Sequence, residues 1–328
     1  MPATRLVIPC ADLDSAIAEH ERRGYRLSLI RPADAPRTAV LDRGDEQVRL
    51  DCTVAGDPFT EEVTDGLDDT LPANTPKFVI SRAADGDFGT GRAGMQYRDL
   101  IPERQGGRYI ASHIAIPEGG PVPDYVHHHH IRFQMIFCHA GWADLVYEDQ
   151  GPPFRMEAGD CVLQPPHIRH RVLHTSDAFE VVEISSPAAH DTLRDHDLEL
   201  PNDALDPDRD FGGQTFVWHR AGRAEWTPWG PRGFEHADFG IGAATGGLAR
   251  VATVRADGTA ELESLECSDE FCLWFVRSGT AELHRNGQSH ALVARDAVAL
   301  FAGDVHALTS VSRNFEFLDV RVSSLDGA

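Results

Sequence analysis

Val126-His127-His128-His129-His130-Ile131-Arg132-Phe133-Gln134 is the stretch on which the fold turns. It follows the turn Glu118-Gly119-Gly120-Pro121 and runs into Met135-Ile136-Phe137, an apolar segment that reads as a strand. Four consecutive histidines suggest an engineered tag, but tags sit at chain ends and this run lies between two predicted strands. Successive side chains of a strand face opposite ways, so the run offers either His127 with His129 or His128 with His130 to one face. Downstream come Gly141, then Gly159, Pro165, His167, His170 and His174. Neutral imidazoles suit borderline divalent metals, and histidines gathered from neighbouring strands leave open coordination positions for a substrate or O2.

Outward from this stretch the chain repeats itself. Phe78-Val79-Ile80-Ser81-Arg82-Ala83 followed by Phe88 recurs as Phe216-Val217-Trp218-His219-Arg220-Ala221 followed by Trp226, an offset of 138. The same offset relates Gln134 to Cys272 and Gly141 to Gly279, and it falls to 136 for His170 and His306. Within each copy, short runs such as Tyr109 to Ile116, Met135 to Phe137, Cys161 to Leu163 and Phe179 to Ile184 are broken by Gly/Pro turns. Many short strands at this spacing, present twice, predict a pair of β-sandwiches or barrels.

The His-run together with the downstream Gly, Pro and His resembles the two motifs of the cupin family. Matched residue by residue, His127 and His129 take the paired histidines, Gln134 the acid, Gly141 the closing glycine, and Gly159, Pro165 and His170 their counterparts in the second motif. Gln134 stands where the family usually has Glu, His167 where it has Gly, and His174 where it has Asn. The resemblance covers residues 78 to 187 well and 215 to 322 more weakly. It implies a mainly β fold of two tandem jelly-roll barrels, and a divalent metal held by His127, His129, Gln134 and His170. Fe(II) leads the expected metals, ahead of Zn, Mn or Ni. A second register would use His128 and His130 instead. Gln134 cannot lose a proton near neutral pH, so the centre would keep a charge close to that of the bare ion and attract a bidentate anion. At the matching places the second copy has Leu265 and Cys267 (Glu266 and Ser268 in the other register), Cys272 and His306. One histidine does not make the site, so the C-terminal barrel is expected to have lost its metal. A zinc site of Cys267, Cys272 and His306 is a minor alternative.

Candidates to line the pocket follow from strand parity. Tyr109, Ala111 and His113 share a face, and Tyr109 or His113 could point inward; Gln164 precedes Pro165, and His174 follows His170. Tyr109, His113, Gln164 and His174 are therefore the candidate catalytic residues. Arg132 could meet a substrate carboxylate, and Cys138 and Trp142 read as barrel packing.

Residues 4 to 52 form a separate unit. An apolar strand precedes Asp12, a plausible N-cap for a helix carrying Leu13, Ile17 and His20, which stops at Arg22-Arg23-Gly24; strands Tyr25 to Ile30 and Arg37 to Asp51 follow. Ile8-Pro9-Cys10-Ala11-Asp12-Leu13 running into Arg23-Gly24-Tyr25 resembles one βαβββ half of the glyoxalase/bleomycin-resistance (vicinal oxygen chelate) family. The first strand has Leu6, Val7 and Ile8 where a His ligand is expected, so a lid, an interaction surface or a homodimer contact is the implied role. The expected division is thus 1–52 for this module, 53–76 as an acidic linker, 77–190 for the metal-binding barrel, 191–213 as a second acidic linker, and 214–328 for the degenerate barrel.

The 328 residues carry 52 acids against 30 Lys and Arg, a net charge of −22. The two acidic segments hold a net −12 of it, so the total says little about the pocket. Such a charge, with no basic cluster, argues against nucleic acid and anionic lipid as partners. Six cysteines without a C-x-x-C indicate reduced thiols, and with no apolar run long enough to span a membrane or act as a secretory signal, the expected location is cytoplasmic. The expected function is a mononuclear metal enzyme, foremost an Fe(II) dioxygenase that takes a small chelating anionic or aromatic substrate and O2. A Lewis-acid isomerase, lyase or decarboxylase is the alternative, with Tyr109, His113 or His174 as proton shuttle. A non-catalytic small-molecule-binding protein is the third reading.

Overall fold

A computed structural model of the protein describes residues 4–63, 70–86, 88–91, 95–258 and 260–324. Residues 1–3, and 64–69 of the first acidic segment, lie outside the described residues. The architecture is mainly β: a small α+β module followed by two tandem barrels.

The module follows the βαβββ order. Asp12 caps the helix Leu13–Arg22 by accepting from the Ser15 backbone N–H at 2.7 Å. Gly24, at φ +89°, turns the chain back toward the sheet. Thr4–Pro9 runs parallel to Glu46–Asp51, with Thr38–Arg43 and Arg26–Arg31 beyond it. The sheet packs on the helix through Leu13, Tyr25, Leu27, Leu41 and Leu50.

Each barrel is two facing antiparallel sheets. In the first, Ile110–Ile116, Phe133–Ala140, Cys161–Leu163 and Phe179–Ser186 face His127–His130, Trp142–Tyr147, Phe154–Glu157 and His170–Thr175. In the second, Ala249–Ala256, Glu316–Val322, Phe271–Ser278 and Ala297–Leu300 face Leu262–Glu266, Val305–Thr309, Thr280–Arg285 and Gln288–Val293. The duplication is visible in the register. A bulge between Cys138 and Ala140 recurs between Val276 and Ser278, each just before a glycine, Gly141 or Gly279, at φ +73°. A Cβ at either glycine would lie 2.4 or 2.5 Å from a serine Oγ, of Ser176 or Ser312. Buried residues of both copies, among them Phe137, Leu163, Phe271 and Leu318, form one core between the barrels.

The opening strand of each copy is exchanged. Val79–Ser81 pairs with Ala297–Leu300 of the second barrel, and Val217–His219 pairs with Cys161–Leu163 of the first. Phe78 packs into the second barrel and Phe216 into the first.

The acidic segments are not wholly linkers. Phe59–Glu62 is a strand beside Thr4–Pro9, where Glu61 is paired with Arg5 and, at 2.8 Å, with Arg49. Asp191–Arg194 is a strand between the histidine strand and Arg26–Arg31, which joins the module's sheet to the barrel's. Acidic composition reports a solvated segment only when the charges lack partners; here Arg5, Arg49 and Arg31 supply them. Among the described residues no helix is long and apolar enough to cross a membrane.

Candidate metal centre

Alternation along His127–His130 turns His127 and His129 into the first barrel, where both are buried. His127 lies opposite His170 in the antiparallel register, and the ligand nitrogens of His127, His129 and His170 all fall within 4.8 Å of one another. Each ring is oriented through Nδ1. His127 Nδ1 donates to the Tyr125 carbonyl (2.8 Å), His170 Nδ1 to the Ile168 carbonyl (3.0 Å), and His129 Nδ1 contacts Thr192 Oγ1 (3.0 Å). Carbonyls only accept, which puts the proton of His127 and His170 on Nδ1 and leaves Nε2 as the nitrogen for a metal. Three buried neutral donors with fixed rings fit a divalent ion. His128 and His130 turn the other way, beside His167, at ring separations of 5.7 and 5.3 Å. His167 has φ +65°, the left-handed conformation in which glycine is commonest, as expected of a residue in a glycine position.

Gln134 and Gln164 are both buried and bonded to each other. The Gln164 amide donates to Gln134 Oε1 (3.1 Å) and to His170 Nε2 (3.2 Å), while Gln164 Oε1 accepts from the Tyr147 hydroxyl (2.8 Å). Gln134 Nε2 in turn donates to Glu183 Oε1 at 2.7 Å. A carboxylate is thus present beside the centre, one strand away from the place where sequence reasoning sought it. Burial pushes the Tyr147 hydroxyl well above its ordinary pKa, so it stays a donor. These groups open into a cavity of about 780 Å³. Its barrel walls are largely apolar, with Ile114, Ile136, Leu145, Met156 and Val181, and the N-terminal module contributes Leu13, Ile17, Ile30, Asp34 and Pro36 to the lining.

Three of the four candidate catalytic residues lie elsewhere. Tyr109 stacks on Phe271 of the second barrel (4.4 Å), and its hydroxyl donates to Glu270 at 2.9 Å. His113 lies against Phe275 and bonds Glu180 (2.9 Å); burial lowers its pKa, and the bond to Glu180 works against that. The opposite parity of this strand, Ile110, Ser112 and Ile114, lines the cavity. Both faces are buried, one inside the first barrel and one in the core between the barrels, so hydrophobic alternation carried no signal. His174 shares parity with His170, but the register shifts between Asp144 and Leu145, whose partners are His174 and Val172. The bulge turns His174 outward onto Trp142, at 5.6 Å, and brings Thr175 in. Arg132 reaches Ser323 at 3.3 Å, away from the cavity. Sequence reasoning missed Tyr147, Glu183, His190 and Thr192. A lone Glu183 in the otherwise apolar run Val181-Val182-Glu183-Ile184 was a legible signal; His190 and Thr192 were hidden by their assignment to an end of barrel and a linker.

In the second barrel Leu265 lies opposite His306, where His127 meets His170. Cys272 faces Leu300 in place of the Gln134 and Gln164 pair, and Trp274 fills the interior against His306, at 4.9 Å. The hydrogen bond with the neighbouring Cys267 thiol, and then burial, raise the Cys272 pKa well above normal, which suits an inert thiol. Among the described residues, His127, His129 and His170 are the one group of metal-type side chains close enough to share an ion.

Residues 112–185 match the family model described as "Cupin domain". No curated protein matches the sequence. Among solved structures, protein Ylba from E. coli has 10% identity over 78% of this chain and 95% of its own, with a TM-score of 0.55. The putative glyoxylate induced protein of Pseudomonas aeruginosa has 13% identity, 78% and 93% coverage and a TM-score of 0.54. Bacillus subtilis oxalate decarboxylase, which has Mn(II) centres, has 13% identity, 79% and 78% coverage and a TM-score of 0.53. At such identities the likeness is one of fold. The chain shares the fold of these structures, built as two tandem barrels, and residues 112–185 match a cupin domain.

Proposed function

We propose that the protein is a mononuclear metal-dependent enzyme, an Fe(II) dioxygenase acting on a small chelating anionic or aromatic substrate. One observation carries the reading: three buried imidazoles with fixed rings converge in a largely apolar cavity, joined by the neutral amides of Gln164, which reaches His170, and of Gln134 behind it. A bound ferrous ion would supply open positions for a chelating substrate and O2. Glu183 holds the Gln134 amide, and Tyr147 holds Gln164 where its N–H can meet an oxygen of the substrate. The aliphatic side chains of the barrel and the N-terminal module make the greater part of the cavity wall apolar, which would strengthen polar contacts made to a substrate there. The test is oxygen uptake by Fe(II)-reconstituted, untagged protein over a panel of catechols, enediols and hydroxy acids. Substrate-dependent uptake is expected; full zinc occupancy with no uptake on any of them would end the dioxygenase reading.

A second reading, a Lewis-acid lyase or decarboxylase, draws support from Glu183, a carboxylate in the cavity that can carry a proton now that Tyr109, His113 and His174 face elsewhere. Turnover without oxygen, lost in Glu183→Gln, would favour it.

A further inference from the structure

Where the N-terminal module meets the first barrel, the cavity wall carries two buried acceptors that the described residues leave without donors. His190 is 3% exposed and stands beside His129, ring centroids 5.3 Å apart. Its Nδ1 lies 3.0 Å from the Pro187 carbonyl, so the ring proton is on Nδ1 and the lone pair on Nε2. Nε2 has no hydrogen-bond partner among the described residues. Across the junction, Asp34 gives Oδ2 to Arg104 at 2.7 Å, while its Oδ1 is buried and also lacks a partner. Both residues line the cavity that holds the three histidines. Arg104, which also reaches Asp99, holds Asp34 from behind the lining, and the arginines of the lining itself, Arg37 and Arg194, make no hydrogen bond to either orphaned atom. What these two atoms lack is donors, and a buried acceptor left unmet is costly enough to mark a place kept for a ligand.

We propose that Asp34 and His190 form a hydroxyl-recognising subsite next to the metal centre, selecting chelating acids that carry further hydroxyls beside the chelating head. The inference rests on the proposed entry of a chelating substrate at the three-histidine site. It gives the N-terminal module a share in specificity, since Asp34 comes from the loop between Arg26–Arg31 and Thr38–Arg43.

Lactate, glycerate and threonate share one α-hydroxycarboxylate head and add no, one and two further hydroxyls, so binding to the cobalt-loaded full chain, followed by the cobalt absorption spectrum, isolates the subsite. Glycerate or threonate is expected to bind about tenfold more tightly than lactate. In Asp34→Asn, Arg104 keeps the amide oxygen, so the NH2 replaces the cavity acceptor with a donor. In His190→Asn, an N–H remains for Pro187 while the Nε2 acceptor disappears. Each variant should lose the hydroxyl preference yet keep its cobalt content and its lactate affinity. Equal affinity for the three acids, or a preference that survives both substitutions, would overturn the subsite and leave the metal centre standing. Bound cobalt whose spectrum none of the acids perturbs would overturn the chelation reading itself, and the subsite with it.

Discussion

In the first barrel His170 lies across the sheet from Tyr147 on one side and His127 on the other; in the second, His306 holds the same register between Arg285 and Leu265. Both histidines turn Nδ1 to the carbonyl two residues earlier, Ile168 or Asp304. Backbone and one histidine are therefore common to a barrel that gathers three histidines on a cavity and a barrel whose interior carries Trp274. The difference lies in a few inward positions: Ile136 lines the first cavity, whereas Trp274, at the equivalent position, occupies the second and anchors its indole N–H on Asp319 at 2.9 Å. A site on this scaffold needs room as well as ligands; in the second copy Leu265 stands opposite His306 and the Trp274 indole packs against it.

The sharpest way to break the contrast is to remove the shared histidine from each copy. His170→Ala should abolish metal binding, read as metal content of the purified protein, and His306→Ala should leave it unchanged. Nearly as large is the contrast within the histidine run. A His127/His129 double alanine variant is expected to lose the metal, and a His128/His130 double variant to keep it; the reverse would move the centre to the other face of the strand. Packing comes next. Trp274→Ala should destabilise the fold by about 3 to 5 kcal/mol in denaturant unfolding, because it opens a void in a filled barrel. Ile136→Ala should cost less than about 2 kcal/mol, since it enlarges a space already there.

The junction between the barrels gives a pH test. His139 packs on Phe275, and burial, helped by His113, pulls its pKa down to about 4. The unfolded chain, with a histidine pKa near 6.5, then binds the proton more readily. Stability is thus full above that value and falls as pH drops toward 4, by about 2 kcal/mol between pH 7 and pH 5 for this residue. His139→Gln should flatten that slope. The smallest effect is expected at Gln134. Gln134→Leu should weaken metal affinity about tenfold in a chelator competition, against complete loss for His170→Ala.

The duplication, the β-rich class and the histidines were legible because each is a local spacing or a repeated string. The face presented by Tyr109 and His113 was not, since that strand is buried on both sides and alternation in polarity vanishes there. His174 was misplaced by a single bulge, which reverses parity without leaving a mark in composition. Glu61 and Asp191 read as solvated acids because their arginine partners are distant in sequence. His190 and Asp34 were invisible for a similar reason: more than a hundred residues of chain separate two groups that line one cavity.

The exchanged opening strands bear on what the second barrel does for the first. Were the C-terminal copy cut away at its own beginning, Cys161–Leu163 would lose Val217–His219 and Val79–Ser81 would lose Ala297–Leu300. The metal-bearing half would be left with an open sheet edge and a stranded apolar segment, the features that invite edge-to-edge aggregation. The second copy therefore covers a sheet edge of its twin, and a chain shortened to the first barrel would present that edge uncovered.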